Sequence, residues 1–456
     1  MHTLSALRAG NLAGIKRLDL SCGLTEFPSE IFKLADTLEI LNLSGNALSR
    51  LPDDLYKLHK LRVIFCSDNP FTELPEVLGQ CAELEMIGFK ANRIKHVPAA
   101  ALPPKLRWLI LTDNQISELP SKLGTCTRLQ KLMLSGNQLK NLPDVRDCVR
   151  LELLRIAANR FARLPDWIFS LPRLAWLACA GNPCSDADEA FAMAKHSITL
   201  IDWSDLEFQQ PLGEGASGVI YRANQKLANS VLPVAVKVFK GVVTSDGLPR
   251  CEKSAAIAAG AHPNLIPVIG KISGHPEDKL GLVMPLIDRS FINLAEPPSL
   301  EFCTRDIYAA DIKFTLTNVL NITLSIADVA AHLHARGLMH GDLYAHNILW
   351  NEQDQCLLGD FGGASFVPQH DAELALGLQR LEVRAFACLL EELLDRCDAP
   401  VNARHIVNSL QELHNRCDIA EVNSRPLFDE IRSNLNSLLT QHNEYLSLSK
   451  RSTPMQ

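Results

Sequence analysis

The sequence predicts two folds in tandem: an α/β solenoid of short repeats over residues 12–200, then an α+β module over residues 205–435, with a tail at 436–456. Three observations carry this. Asparagine recurs at positions 46, 69, 92, 114, 137, 159 and 182, every 22 or 23 residues, with leucines at fixed offsets around each. A glycine-rich stretch, PLGEGASGVIY at 211–221, precedes the β-branched run SVLPVAVKVF at 230–239. Further on, HGDLYAHN at 340–347 and LLGDFGGASF at 357–366 set carboxylates and an amide among glycines.

Composition sets the limits. The chain has 456 residues, 47% apolar and 21% charged, which suits a globular protein with more than one core. Residues 1–200 carry 24 basic and 21 acidic side chains, and residues 201–456 carry 21 basic and 31 acidic. Neither half has the basic excess that a phosphate backbone demands, so nucleic acid is not expected as a partner. No run of 18 or more apolar residues occurs, and no membrane span is expected. The opening MHTLSALRAGNLAG lacks the apolar core of a signal peptide. The 13 cysteines are scattered without metal-ligand spacing, so buried thiols in a cytoplasmic protein are expected.

In the first half, LEILNLSGNALSRLPDDLYKL (38–58), LRWLILTDNQISELPSKLGTC (106–126) and LQKLMLSGNQLKNLPDVRDC (129–148) align on their asparagines. One such unit cannot bury its own leucines. Stacked units bury them between neighbours, and each asparagine can bond the backbone of the adjacent turn. The pattern resembles the leucine-rich repeat family, whose unit is L-x-x-L-x-L-x-x-N; a degenerate unit near Ile15 has Cys22 at the asparagine position. The resemblance implies a horseshoe with a parallel sheet along its concave side. Strand alternation then turns Val63, Phe65, Met86, Trp108, Ile110, Met133, Leu153 and Trp176 outward on that side. An exposed apolar strip of this kind predicts a protein-binding surface, the alternative being that the chain itself covers part of it.

In the second half, G-x-G-x-x-G at Gly213, Gly215 and Gly218 leads into a strand, whereas a dinucleotide-binding turn leads into a helix. A strand–loop–strand hairpin lets backbone N–H groups cover phosphates. Leu212, Gly213, Glu214, Gly215, Ala216, Ser217, Gly218 and Ile220 are therefore candidate nucleotide-binding residues. Lys237 projects from the second strand toward the α- and β-phosphates. Glu252, in the helix-like RCEKSAAIAAG (250–260), is its candidate partner, and Met284 in the strand LGLVMPLI (280–287) faces the adenine pocket. Ile322, Ile326, Val329 and Leu333 keep helical spacing, with Gly337 ending that helix. Beyond it Asp342 can accept a proton from a hydroxyl, and Asn347 and Asp360 offer the oxygen ligands that Mg²⁺ prefers.

The order of glycine loop, V-A-V-K, H-G-D and D-F-G is similar to the eukaryotic-type protein kinase family over roughly residues 205–435, and SRPLFDEI (424–431) resembles that family's last-helix signature. Both halves together resemble a soluble leucine-rich-repeat protein kinase of bacterial type. That resemblance implies an α/β leucine-rich-repeat solenoid followed by an α+β two-lobed protein-kinase-like fold. It also implies ATP and Mg²⁺ as cofactors, transfer to serine or threonine, Lys237 and Asp342 as catalytic residues, and Asn347 and Asp360 as metal ligands.

Three departures modify the expectation. Gly341 replaces the arginine that often contacts a phosphate on the activation loop. The segment Gly363–Leu381 has 19 residues, one hydroxyl (Ser365) and no A-P-E before EVRAFACLLEELL, and Glu382 stands where aspartate is usual. Tyr344 occupies a position where Ser/Thr kinases often carry lysine. Activity without loop phosphorylation is expected, with a weakened peptide platform that the repeats compensate by recruiting a protein. H-G-D without A-P-E also resembles small-molecule phosphotransferases of the aminoglycoside-kinase type. A third reading is a pseudokinase scaffold, against which Lys237, Asp342, Asn347 and Asp360 are all present.

Overall fold

The computed structural model describes residues 2–451 apart from Ala216, Val242 and Gln369, with residues 448–451 described by backbone only. The chain forms two compact units. One holds Met1–Leu174 with Gly181–Cys184 and Val243–Leu248; the other holds Ala175–Ala180, Ser185–Val242 and Pro249–Gln456.

The first unit is built on seven three-residue strands: β1 (Arg17–Asp19), β2 (Ile40–Asn42), β3 (Val63–Phe65), β4 (Met86–Gly88), β5 (Trp108–Ile110), β6 (Lys131–Met133) and β7 (Leu153–Arg155). They pair in parallel and in register, each with the next. The central side chains, Leu18, Leu41, Ile64, Ile87, Leu109, Leu132 and Leu154, are fully buried. Each repeat returns through a tight turn, and proline opens several of them: Pro28, Pro75 and Pro120 precede short 3-10 segments. Its fixed φ suits that position, where no N–H is needed.

The asparagines hold the stack together. Asn46, Asn69, Asn92, Asn114, Asn137, Asn159 and Asn182 each donate from Nδ2 to a carbonyl of the preceding repeat at 2.8–3.0 Å. Their Oδ1 atoms accept backbone N–H groups, as Asn137 does from Ile116 at 3.0 Å. A narrow turn cannot satisfy these groups by itself, and a buried unpaired one would cost about 1–3 kcal/mol. Cys22, at the degenerate position, leaves its own N–H to be taken by Asn46 Oδ1 at 3.1 Å.

The outward strip departs from expectation. Val63, Met86, Leu153 and Trp176 are buried, and only Phe65, Trp108, Ile110 and Met133 remain half-exposed. Register explains the first three: Val63, Met86, Trp108, Lys131 and Leu153 form one row across the strands, where neighbours a strand apart shield one another. Trp176 is buried inside the second unit, as described below. Chain also covers the β7 end of this unit. Arg155, 1% exposed, donates from Nε to Asp246 Oδ1 of the Val243–Leu248 segment at 2.7 Å.

The second unit holds the short strand β8 (Trp176–Ala178) and a sheet of six strands, β9 (Leu200–Asp202), β10 (Leu206–Glu214), β11 (Gly218–Leu227), β12 (Ser230–Phe239), β13 (Gly270–Ser273) and β14 (Gly281–Pro285). The order across that sheet is β10-β11-β12-β14-β13-β9. All pairings are antiparallel except β13 with β9. Ala223, Val234, Val236, Val238 and Val283 alternate into its core. The helix Pro249–Ala259 follows β12, inside the unit, after the Val243–Leu248 excursion.

The rest of the unit is mainly helical. The helix Leu316–Ala335 starts at a capping box formed by Thr315 and Asn318, and Val319, Ile322, Ile326, Val329 and Leu333 are fully buried. It is the one helix among the described residues long and apolar enough to cross a membrane, with a mean hydropathy of 1.2. Its buried stripe instead supplies the core of this lobe. The helix Ala372–Leu394 begins ten residues before Glu382, where the expected loop should still run. Asp371 caps it by accepting from Leu374 N at 3.0 Å, and AELALGLQRL is rich in strong helix formers. The final helix, Phe428–Arg451, runs on through residue 435 without a break.

Candidate active site

The β10–β11 hairpin carries the three glycines. Gly215 N bonds Gly218 O at 2.9 Å, closing the turn. A Cβ at 213 or 215 would meet nothing within 4 Å, so the backbone there stands open, whereas a Cβ at 218 would come within 2.5 Å of Val238 O. Glu214 is tied to Lys240 at 2.7 Å. Ala216 lies outside the described residues. Leu212 and Ile220, flanking this loop, line a cleft of about 310 Å³ together with Lys237, Glu252, Met284 and Asp360.

Lys237 and Glu252 are in direct contact, and Lys237 Nζ also lies 3.7 Å from Asp360 Oδ1. Ser217 gives Glu252 a second hydrogen bond. Burial works to lower the Lys237 ammonium, but the Asp360 and Glu252 carboxylates outweigh it and its pKa is raised. Burial pushes the Glu252 carboxyl up to about 7 despite the lysine. Desolvation would raise Asp360 too, yet Lys237 and the Gly362 N–H hold it below its ordinary value. The lysine thus stays charged with one carboxylate buried behind it and another facing the cleft.

The loop 340–347 follows the helix Leu316–Ala335 and a short strand, Leu338–Met339. Asn347 Nδ2 donates to Asp342 Oδ2 at 3.0 Å and to Asp342 O at 2.9 Å, which orients both side chains. Gly359 N bonds Asn347 O at 3.0 Å and His340 bonds Gly359 O at 2.9 Å, so this loop and the Asp360 loop are tied together. Asp360 itself adopts φ +53° and turns toward Lys237.

Gly341 has a steric reason. Its φ is +69°, and a Cβ there would overlap Gly363 O and stand 2.6 Å from Leu177 O. Its N–H donates to Glu382 Oε1 at 2.6 Å, while Glu382 Oε2 meets His334 Nε2 at 2.7 Å. Burial would raise the Glu382 carboxyl; His334 brings it below its ordinary value. The glutamate at 382, one methylene longer than aspartate, thus spans two partners from the middle of its helix.

Tyr344 stacks on Trp176, with centroids 4.1 Å apart and planes 6° from parallel. Trp176 Nε1 donates to Leu343 O at 3.0 Å. Ser365, the lone hydroxyl in the short segment, is buried and its Oγ accepts from Cys179 N at 3.0 Å.

His346 and Asp306 form a further pair beside the catalytic loop that no local sequence pattern predicts. His346 Nδ1 lies 2.7 Å from Asp306 Oδ1, and its N–H donates to Asp306 Oδ2 at 3.1 Å. Desolvation would lower this imidazole, but Asp306 raises its pKa. Asp306 comes from the irregular stretch between Glu296 and Phe314, where nothing in the sequence marks it. His346 and His340 are visible within HGDLYAHN, yet only folding gives them partners.

The residues fit a nucleotide with a divalent cation. A charged lysine faces the cleft, and Asp360 and Asn347 supply hard oxygen donors close by. Among the described residues no group of three or more His, Cys, Asp or Glu could cage a metal alone. Asp360 and Asn347 would hold a cation here, and it would supply neutralisation of phosphate charge.

Comparison with known proteins agrees with this geometry. The family described as protein tyrosine and serine/threonine kinase matches residues 206–394, and leucine-rich repeat families match residues 37–58 and 104–147. The chain carries a protein kinase domain preceded by leucine-rich repeats. The chain is 28% identical over 160 residues to Serine/threonine-protein kinase PITSLRE of Drosophila melanogaster, covering 34% of this chain and 16% of that protein. It is 26% identical over 200 residues to Fibroblast growth factor receptor 1 of Pleurodeles waltl, covering 41% and 24%. It is 30% identical over 207 residues to Tyrosine-protein kinase receptor TYRO3 of Danio rerio, covering 44% and 23%. The chain therefore spans less than a quarter of the length of each of these relatives. Kinase domains use ATP and a divalent cation in general.

Proposed function

We propose that this chain is an ATP- and Mg²⁺-dependent protein kinase that phosphorylates serine or threonine. The observation that carries the reading is the joined cleft: Lys237 against Glu252 and Asp360, with Asn347 holding Asp342 at 3.0 Å on the tethered neighbouring loop. Lys237 binds and orients phosphate oxygens, Leu212, Ile220 and Met284 enclose the base, and the 213–218 backbone covers the phosphates. Asp342 orients the acceptor hydroxyl and holds its proton. Asn347 and Asp360 would hold Mg²⁺, which neutralises charge on the phosphates when bound. Positioning and charge neutralisation supply most of the rate in such a site. The serine/threonine kinase among the relatives supports the acceptor class.

The repeats recruit a protein partner through the half-exposed Phe65, Trp108, Ile110 and Met133, and the chain works in the cytoplasm. These four are half-exposed apolar groups on that side of the sheet. Trp108→Ser should weaken capture of the partner and leave ATP turnover unchanged.

One observation favours a second reading, a small-molecule phosphotransferase. Because the helix starts at Ala372, only nine residues, Gly363–Asp371, lie between D-F-G and that helix, which leaves little peptide platform. The test is to offer γ-labelled ATP and Mg²⁺ with either a protein extract or a metabolite mixture. Label on protein, released as phosphoserine or phosphothreonine by acid hydrolysis, supports the kinase. Label passing only to small molecules supports the alternative and overturns the proposal.

A further inference from the structure

The geometry points to the segment Ala175–Ala180 as a built-in brace of the catalytic loop, with Trp176 as a positioning residue for phosphoryl transfer. The inference rests on the kinase reading above. Three contacts place this segment against the parts that must be held still. Trp176 lies flat on Tyr344, its indole N–H donates to Leu343 O at 3.0 Å, and Cys179 N donates to Ser365 Oγ at 3.0 Å. Leu343 and Tyr344 directly follow Asp342, and Ser365 lies five residues beyond Asp360. One strand of chain, Trp176–Ala178 with its flanks, therefore grips both the loop that orients the acceptor and the loop that faces the metal site.

The same contacts account for what the catalytic segment lacks. A phosphate and an arginine often order this region through a charge-assisted pair. Here position 341 has no room for a side chain: its φ is +69°, and Leu177 O and Gly363 O close around it. Ser365 is buried and engaged by Cys179, so it offers no accessible hydroxyl for modification. Buried aromatic stacking and two neutral hydrogen bonds supply the order that a charged pair supplies elsewhere. No covalent signal is then needed.

A plug would use similar contacts, but the arrangement argues for a brace. With the segment in place, Lys237 touches Glu252, Asn347 orients Asp342, and Asp342 remains only partly buried. The catalytic parts are assembled while the segment is docked, and the cleft beside Lys237 stays open.

The test compares the full chain with Trp176→Ala, Trp176→Phe and Ser365→Ala, reading kcat and the KM for ATP separately, with thermal melts to confirm folding. Trp176→Ala should lower kcat about ten- to hundredfold and leave the KM for ATP within about twofold, because a slight misplacement of reacting groups is felt in the chemical step. Trp176→Phe keeps a stacked ring without the N–H donor and should recover part of the loss. A folded Trp176→Ala protein with unchanged or raised kcat overturns the brace. If that variant does not fold, the same criterion passes to Trp176→Phe and Ser365→Ala, for which a kcat within twofold of the parent overturns it.

If the parent shows no Asp342-dependent turnover, the kinase reading fails and hydrogen exchange decides the brace alone. Amides of Tyr344–Asn347 should exchange at least about tenfold faster in Trp176→Phe. Equal exchange overturns the brace.

Discussion

Replacing Gly341 with arginine would restore the residue that many kinases carry, and a reading based on regulation alone expects it to be tolerated. The structure predicts the opposite. A non-glycine residue at φ +69° costs about 1–2 kcal/mol. The new Cβ would overlap Gly363 O and approach Leu177 O to 2.6 Å, and neither backbone atom can swing aside as a side-chain tip can. Relieving that overlap costs about 1–3 kcal/mol. It also disturbs the 2.6 Å bond from Gly341 N to the Glu382 carboxylate, a charge-assisted contact of about 1.5–3 kcal/mol. Partial loss of these together destabilises the kinase domain by about 3–6 kcal/mol, a melting shift of roughly 6–24 °C for a domain of this size. The assay is thermal unfolding of the full chain followed by near-UV circular dichroism, with Gly341→Ala alongside. Alanine carries the Cβ but no charge, so it should show most of the shift. A Gly341→Ala protein melting within about 2 °C of the parent would refute the steric argument.

Three other outcomes follow from particular contacts. Glu252→Gln leaves Lys237 facing Asp360 alone at 3.7 Å, and kcat/KM for ATP should fall about ten- to hundredfold; a change under twofold in steady-state kinetics would contradict the pairing. Asn137→Ala takes one amide donor from each of the Leu111 and Leu134 carbonyls, which Asn114 and Asn159 still reach, and frees the N–H of Ile116, so urea unfolding of the repeats should show a loss of about 1–3 kcal/mol, and a loss under about 0.5 kcal/mol would count against the ladder. Burial pushes Glu392 up to about 8 from its ordinary 4.5, with Tyr308 donating to it at 3.2 Å. The folded state therefore holds a proton that the unfolded chain has released. This makes stability fall as pH rises from about 4.5 to 8 and level off above, and Glu392→Gln should flatten that slope by about 1–3 kcal/mol across the window; parallel stability–pH curves for the two proteins would refute it.

Much of the architecture is readable from periodicity and motif order. The asparagine period predicts the ladder, since only stacked neighbours can satisfy those amides, and the run SVLPVAVKVF coincides with β12. The site is legible as a list of residues, because Lys237, Asp342, Asn347 and Asp360 sit in short local patterns. What holds them is not. Asp306 meets His346 across 40 residues and Trp176 meets Leu343 across 167, and no local pattern encodes a contact that depends on the whole path of the chain. The outward strip shows the reverse error: alternation gives the direction of a side chain but not what stands over it, so Trp176 reads as exposed and is 1% exposed. Gly341 reads as a missing arginine, whereas its backbone angle and two carbonyl oxygens require a residue without a side chain.

The most direct test of the central claim, that the joined cleft is a phosphoryl-transfer site, is to compare the parent with Asp342→Asn in binding and in transfer. Titration calorimetry with ATP and Mg²⁺ should give matching affinities, because Asp342 is outside the cleft wall formed by Lys237, Glu252 and Asp360. Transfer of the γ-phosphoryl group to protein should fall by about 10²- to 10⁴-fold in the variant. Equal transfer by both proteins, or no binding of ATP with Mg²⁺ by the parent, would contradict the account.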